Sequence, residues 1–168
     1  MITATAIRPK GAGRPSTGAT SGPVEMRIGF RFAADQPWLL LAPQVAAQVA
    51  IEPSLTRIPH TQPWFRGVMS LRGTLYPVFD LGAWLGAAPA ALDRARILVV
   101  APGDRGGAVL YSDEPRMLQV RRAAAPVATE RLAGLGRTSF HHGDETAIEF
   151  DHEKWFLDAA HEVAQRHA

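Results

Sequence analysis

Proline or glycine interrupts nearly every gap between the short apolar runs of this chain, and this restricts its fold more than any other feature. The clearest run, residues 24–32, alternates apolar side chains with Glu25, Arg27, Gly29 and Arg31, which is the period of a half-buried strand. Further candidate strands are residues 38–41, 45–51, 68–71, 75–79, 97–100, 108–111, 117–120 and 147–150. Because parallel strands would need helical crossovers of about ten or more residues, the spacing predicts a mainly β, antiparallel sandwich or barrel.

Two segments are predicted to be helical. Asp151 is a suitable N-cap for a C-terminal helix over about residues 152–166, in which Trp155 belongs to an apolar stripe. A second, short helix is expected after Asp80 and ends at Gly86, since glycine accepts the left-handed conformation that commonly terminates helices. The C-terminal helix is expected to pack on the β-structure.

Two glycine-containing segments are predicted to be hairpin turns. Residues 72–74 form a tight turn between two apolar runs, and residues 103–107 form a looser one. The second segment is glycine-rich, yet it lacks the Lys-Ser/Thr pair that phosphate-binding loops use. We therefore interpret it as a surface turn.

The composition predicts one folded domain preceded by a tail. Residues 1–23 consist mainly of Gly, Pro, Ser, Thr and Ala and are predicted to be disordered, whereas residues 24–168 are predicted to fold. Hydrophobic residues make up 46% of the chain, so a core is expected. Cysteine is absent, which excludes disulfides and thiolate metal sites and favours a reducing compartment.

Charge and hydropathy point to a soluble, cytoplasmic protein without membrane insertion. No apolar run approaches the ~18 residues of a membrane span, and the first residues lack a secretory signal. The formal net charge is only +2. A small β-barrel that binds nucleic acid is a second possibility, but Arg121 and Arg122 are the only adjacent arginines and residues 144–162 are acidic. We therefore expect no nucleic-acid partner.

Catalytic and metal-binding patterns are weak in this sequence. It contains no Gly-x-Ser-x-Gly or His-Glu-x-x-His motif. One group of side chains can be read either as a metal site or as a polar loop; it consists of His141, His142, Asp144 and His152. Two acidic pairs, Asp113–Glu114 and Glu149–Asp151, can be read either as catalytic carboxylates or as solvated residues at strand ends. We expect no catalytic residue, no metal and no cofactor.

Residues 59–86 carry the most specific pattern. They contain Pro-Trp-Phe-Arg-Gly-Val, then Ser-Leu-Arg-Gly, an apolar strand with proline, and Asp-Leu. This segment resembles the CheW-like domain of bacterial chemotaxis coupling proteins, and its opening resembles the adaptors of type IV pilus twitching systems. The positions that match at the family's spacing are Gly67, Leu71, Arg72, Gly73, Pro77, Asp80 and Leu81.

The resemblance implies a fold and a function. It implies two small intertwined five-stranded SH3-like β-barrels with a C-terminal helix, and neither a cofactor nor catalysis. It also implies a non-enzymatic adaptor that couples chemoreceptors to a histidine kinase in chemotaxis or twitching motility. The expected partners are the kinase's own CheW-like regulatory domain, met through an exposed apolar barrel surface, and the cytoplasmic tip of a chemoreceptor, met through a groove near Arg72.

Arg72 is the principal candidate for partner binding. Its guanidinium can engage a partner's carboxylates or carbonyls, or it can cap groups of its own domain. In the family this arginine pairs with a glutamate on an earlier strand, and Gln48 occupies that position here, with Glu52 nearby as a substitute. Ser70 replaces the asparagine that is usual in the family, which removes one side-chain amide from the turn.

The residues before and after this turn complete the expected site. Trp64 and Phe65 are counted as partner-binding residues, with one aromatic ring expected in the core and the other on the surface. The remaining residues of the expected partner-binding set are Arg66, Ser70, Arg72, Gln48 and Glu52. Structural turn roles are expected for Gly67 and Gly73 through positive φ, and for Asp80 as a local cap.

Overall fold

A computed structural model describes residues 20–51, 53–93, 96–126 and 129–165 of the chain. The elements are β1 (Thr20–Arg31), β2 (Trp38–Leu40), β3 (Ala47–Ala50), β4 (Leu55–Thr56), β5 (Phe65–Leu71), β6 (Thr74–Phe79), α1 (Leu81–Trp84), β7 (Arg96–Val100), β8 (Gly107–Tyr111), β9 (Asp113–Ala123), β10 (Ser139–His142), β11 (Glu145–Glu149) and α2 (His152–Gln165). β1 begins before the predicted start at Val24. Residues 1–19 of the predicted tail lie outside the described residues.

The strands form two units that interleave along the chain. β1, β2, β11, β10 and β9 close into a five-stranded barrel, in that order. The strands between β2 and β9 form a second, six-stranded sheet in the order β3-β7-β8-β6-β5-β4. The mainly β fold with a closed five-stranded barrel and a C-terminal helix is therefore confirmed. The second unit is a six-stranded sheet where a five-stranded barrel was expected, and the short β4 is its sixth strand, at the edge of β5.

Two strand pairs correct the antiparallel prediction. β2 pairs in parallel with β11, with Leu39 opposite Ile148, and β6 pairs in parallel with β8, with Val78 opposite Ala108. In each case the paired strands are not consecutive in the chain, so the intervening elements supply the crossover. The gaps between consecutive strands could not reveal these pairs.

An aromatic cluster joins α2 to both units. The Phe79 ring of β6 lies 5.1 Å from Trp155 and 5.7 Å from Phe156, both on α2. Phe150, which follows the barrel strand β11, lies 6.2 Å from Trp155. Trp84 of α1 is partly buried and lies 5.6 Å from Trp155. Two of these four contacts are edge-to-face, and through all four α2 packs on the β-structure, as its apolar stripe predicted.

No helix in the described ranges is both long and apolar enough to cross a membrane.

Candidate functional site

The predicted tight turn between β5 and β6 contains two residues in an uncommon backbone conformation. Leu71 pairs with Thr74, so Arg72 and Gly73 alone make the connection, with φ of 51° and 82°. Two consecutive positive φ values are the signature of a type I′ hairpin, whose twist matches that of the strands. Gly73 adopts this conformation without steric cost, whereas Arg72 adopts it at a steric cost because it has a Cβ atom.

The Arg72 side chain projects from the tip of this hairpin. It is exposed, and it makes no hydrogen bond or ion pair with any residue that the structure describes. Its five N–H donors therefore face solvent. We call residues 70–75 the hairpin tip.

The two residues predicted as internal partners of Arg72 do not pair with it in the described structure. Gln48 lies on β3 opposite Val99 of β7, at the edge of the six-stranded sheet farthest in strand order from β4. It is half-buried and makes no hydrogen bond to Arg72. Glu52 lies outside the described residues.

Exposed side chains of opposite polarity accompany Arg72 at the hairpin tip. Ser70 and Leu75 face each other across β5 and β6, and both are exposed, Leu75 by 69%. The next residue, Tyr76, is buried in the core of the sheet, and its hydroxyl oxygen accepts a hydrogen bond from the Gly103 N–H at 3.0 Å. The hairpin tip therefore presents a cation, a hydroxyl and a large apolar side chain to solvent.

The two aromatic residues that precede the hairpin lie in or against the core. Trp64 is only 6% exposed, and its ring lies 6.1 Å from Phe79 and 6.4 Å from Trp155. Phe65 is half-buried and lies 5.6 Å from Phe79. Trp64 is thus a core residue, which corrects its inclusion among the partner-binding residues, while Phe65 keeps part of its ring accessible.

Arg66 is engaged inside the protein, which corrects its predicted partner-binding role. The guanidinium is buried, its Nη2 donates to the Ala90 carbonyl at 2.8 Å, and its Nη1 lies 3.6 Å from Asp80 Oδ2. Asp80 Oδ2 accepts from Ala90 N–H at 2.8 Å, and Asp80 Oδ1 caps α1 through Ala83 N–H at 3.0 Å. Arg66 and Asp80 therefore hold both backbone polar groups of Ala90.

Gly67 sits where β4 and β5 approach most closely. Its φ is 127°, and a Cβ added there would lie 2.2 Å from the Thr56 carbonyl oxygen. At Gly73, by contrast, a Cβ would meet nothing within 4 Å. Gly67 is thus required by both backbone conformation and space, whereas Gly73 is required by conformation alone.

The five-stranded barrel carries a second exposed surface, whose residues the sequence did not identify. Val24, Met26 and Met117 are 48%, 53% and 53% exposed, and Ile28, opposite Met117, is half-buried. We call these four residues of β1 and β9 the ribbon face. Such a contiguous apolar surface on a β-ribbon is typical of an interaction site.

The opposite side of β1 holds a buried arginine. Arg27 is 6% exposed, donates from Nε and Nη2 to the Leu41 carbonyl at 3.0 and 2.7 Å, and pairs with Glu149 at 2.5 Å. The strand itself was predicted, but at this end of β1 the apolar residues Val24 and Met26 are exposed and Arg27 of the polar set is buried, which reverses the expected sides. No signal in the sequence identified Arg27 as a buried residue.

The histidine-rich segment is a strand rather than the predicted polar loop. His141 and His142 belong to β10, which turns at Gly143 and Asp144 into β11. His142 Nδ1 lies 2.8 Å from the Gln119 carbonyl oxygen, and His152 is buried on α2. In the part of the chain that is described, no three such side chains are arranged to hold a metal ion.

The acidic pairs have structural partners. Asp113, Glu114 and Glu149 each pair with an arginine, and Asp151 caps α2 by accepting from the Lys154 N–H at 3.3 Å. The arginine partners are Arg31 at 3.5 Å, Arg96 at 3.0 Å and Arg27 at 2.5 Å, respectively.

Two pKa values are shifted by identifiable neighbours. Hydrogen bonds from Arg31 and from the Trp38 indole hold the pKa of Glu145 below its usual 4.5. Burial, followed by the charge of Glu114, raises the pKa of Tyr111 above 10.0. Both groups keep their ordinary charge at neutral pH, so neither is poised for proton transfer there.

Comparison with known proteins relates this geometry to a family. A family model of the CheW-like domain matches residues 29–156. Over 141 residues the chain is 28% identical to protein PilI of Pseudomonas aeruginosa, and the alignment covers 82% of this chain and 74% of PilI. Scaffolding protein TtCheW from Thermoanaerobacter tengcongensis has the same fold, with a TM-score of 0.59, 20% identity, and coverage of 76% of this chain and 90% of TtCheW. Because the family model spans most of the sequence and the fold agrees, the chain belongs to the CheW-like domain family.

Proposed function

We propose that this protein is a non-enzymatic adaptor that couples chemoreceptors to a histidine kinase, in chemotaxis or in type IV pilus twitching motility. Membership of the CheW-like domain family supports the adaptor role, and the similarity to PilI supports the pilus system. The expected partners are the kinase's CheW-like regulatory domain and the cytoplasmic tip of a receptor.

The observation that carries the proposal is the state of Arg72. An L-residue in the left-handed region costs about 1–2 kcal/mol relative to glycine or a more tolerant residue. Arg72 occupies that region at φ 51° and gains no hydrogen bond or ion pair from the described residues in return. A strained, exposed and unpaired arginine contributes nothing to folding, so we infer that its contribution is made in a complex.

Two surfaces allow two partners to bind together. The hairpin tip belongs to the six-stranded sheet, and the ribbon face belongs to the five-stranded barrel. A groove of about 280 Å³ adjoins the ribbon face and is lined by Met26, Ile28, Val45 and Met117 among others. Apolar contacts at the ribbon face and polar contacts at the hairpin tip would then select different partners.

The test is capture of partners from a lysate of the native cells. Wild-type protein, Arg72→Ala and the control Arg105→Ala serve as bait, and bound proteins are identified by mass spectrometry. Arg105 is also exposed in a turn, so it controls for loss of a surface charge. We expect Arg72→Ala alone to reduce recovery of a receptor or kinase. Recovery of neither protein by wild-type bait would contradict the adaptor role.

Nucleic-acid binding is tested separately. Arg27, Arg31, Arg66 and Arg96 are engaged by carboxylates, and the formal net charge of the chain is only +2, so there is no large excess of positive charge to bind phosphate. We expect weak retention on heparin. Strong retention that falls steeply with salt would favour nucleic-acid binding instead.

A further inference from the structure

A groove at the connection between β4 and β5 has the composition of a binding site. It has a volume of about 300 Å³, and its walls include Arg57, Ile58, Gln62, Phe65, Arg66 and Pro89. We call it the β4–β5 groove. It is distinct from the hairpin tip, which lies at the other end of β5.

The groove is lined by a buried glutamine, Gln62, whose side-chain amide has no hydrogen-bond partner among the described residues. Gln62 is only 8% exposed, and its side chain makes no hydrogen bond with any described residue. Among the described residues, Arg31 Nε is the only side-chain polar atom that is both fully enclosed and without a hydrogen-bond partner. The unpartnered amide atoms of Gln62 are therefore not fully enclosed. A buried amide normally has hydrogen-bond partners, so the Gln62 amide is available to a ligand in the groove.

The far wall of the groove is fixed in place. Arg66 and Asp80 hold the backbone carbonyl and N–H of Ala90, at 2.8 Å each. Pro89, the preceding residue, lines the groove and is rigid in φ. A ligand would therefore enter a groove whose wall needs no rearrangement, which lowers the cost of binding.

The charge of the groove selects the ligand. None of the described residues that line it is acidic, and two are arginines. The charge of Arg66 is balanced by Asp80, whereas Arg57 is exposed and has no ion pair with the described residues. Ile58, 40% exposed, and the half-buried Phe65 supply an apolar surface beside it.

We propose that the β4–β5 groove binds a glutamate or aspartate side chain that adjoins an apolar residue on a protein partner. The carboxylate pairs with Arg57 and accepts a hydrogen bond from the Gln62 amide, while the apolar neighbour contacts Ile58 and Phe65. This inference rests on the proposed adaptor function, which requires protein partners, and it names the chemistry of one contact.

Titration with matched peptides tests the proposal without the cellular partners. Acetyl-Leu-Glu-Leu-amide is added to the isotope-labelled full chain, and backbone amide signals are followed by NMR. Saturable shifts are expected at the non-proline residues of the segment 57–66 and at Ala90. Binding of the Gln and Lys versions of the peptide is expected to be at least about fivefold weaker, since they lack the carboxylate.

Variants assign the binding to the groove. Arg57→Glu is expected to lower the affinity for the acidic peptide by about tenfold, and Gln62→Ala by about threefold. The control Arg105→Glu makes the same charge change elsewhere and is expected to leave this affinity unchanged. Folding is checked by signal dispersion, and Arg57→Lys, which keeps the charge, is expected to retain most of the affinity. Absence of saturable shifts, or equal binding of the three peptides, would overturn the groove proposal while leaving the capture experiment, and with it the adaptor role, unaffected.

Discussion

The two ends of strand β5 carry arginines in opposite situations. Arg66, at its beginning, is buried and bonded to Asp80 and Ala90. Arg72, just past its end, is exposed and unpaired among the described residues. The sequence motif contains both arginines, but only the second keeps its hydrogen-bonding capacity for other molecules.

This difference separates folding from recognition within one hairpin. Removing one partner of a buried ion pair leaves an uncompensated charge, whereas removing an exposed, unpaired charge leaves almost nothing behind. Substitutions at the Arg66 end should therefore change stability, and those at the hairpin tip should change binding.

The largest effect is expected at Asp80. Asp80→Ala leaves Arg66 buried without its counter-charge and removes the acceptor of the Ala83 and Ala90 N–H groups. We expect the free energy of unfolding in urea to fall by about 3–5 kcal/mol. Asp104→Ala, at an exposed turn position, is the control and should change it by less than about 0.5 kcal/mol. A loss below about 1 kcal/mol at Asp80 would break the comparison.

The two glycines of the hairpin provide a second, smaller contrast. Gly67→Ala introduces both a positive-φ alanine and a 2.2 Å clash with Thr56, and we expect a loss of about 3 kcal/mol. Gly73→Ala has free space and should cost only about 1 kcal/mol, through its φ of 82°. Thermal unfolding of both variants measures the difference. Equal losses of stability in the two variants would show that β4 and β5 can move apart to accept a Cβ at Gly67.

Arg31 is an intermediate case between Arg66 and Arg72, and it gives a pH-dependent prediction. Its hydrogen bond to Glu145 lowers the pKa of that carboxyl in the folded state. Glu145 therefore contributes stability above its unfolded pKa of 4.5, and this contribution disappears as the pH falls through the lower folded pKa. At pH 7 the free energy of unfolding of the wild type should exceed that of Glu145→Gln by less than about 1 kcal/mol, because Glu145 is half-exposed. Urea unfolding at pH 3 and pH 7 should show the gap shrinking at acid pH, and a constant gap would exclude this linkage.

The smallest change in stability is expected at the hairpin tip. Arg72→Ala should alter the free energy of unfolding by less than about 1 kcal/mol. Arg72→Asn should raise the free energy of unfolding by roughly a few tenths of a kcal/mol, because asparagine tolerates positive φ in a type I′ turn. Both variants should nevertheless lose partner capture. Unfolding of Arg72→Ala would instead show that the guanidinium supports its own domain.

Local signals in the sequence were sufficient for the turn and for the helix caps. Arg72 and Gly73 separate two apolar runs, and two residues are the length of the common hairpin turn. Asp80 and Asp151 precede apolar helical stripes, and both cap helices in the structure. These features depend on neighbours in the chain, so the sequence displays them.

Features that depend on distant contacts could not be predicted. The burial of Arg27 depends on Leu41 and Glu149, and the parallel pair of β2 and β11 joins the two ends of the fold. β10 was missed because His141 and His142 are polar and the Gly143–Asp144 turn gave the segment the composition of a loop. Trp64 and Arg66 were counted among the partner-binding residues because composition alone cannot distinguish an interface anchor from a core residue.

The interleaved order of the strands limits how this protein can be divided. The barrel takes β1 and β2 from one part of the chain and β9, β10 and β11 from another, with the whole six-stranded sheet inserted between them. A truncation after β8 would leave two barrel strands without the three that close the ring. Modular exchange by a single recombination point is therefore blocked for the barrel, whereas replacing the inserted sheet as one cassette would keep every barrel strand.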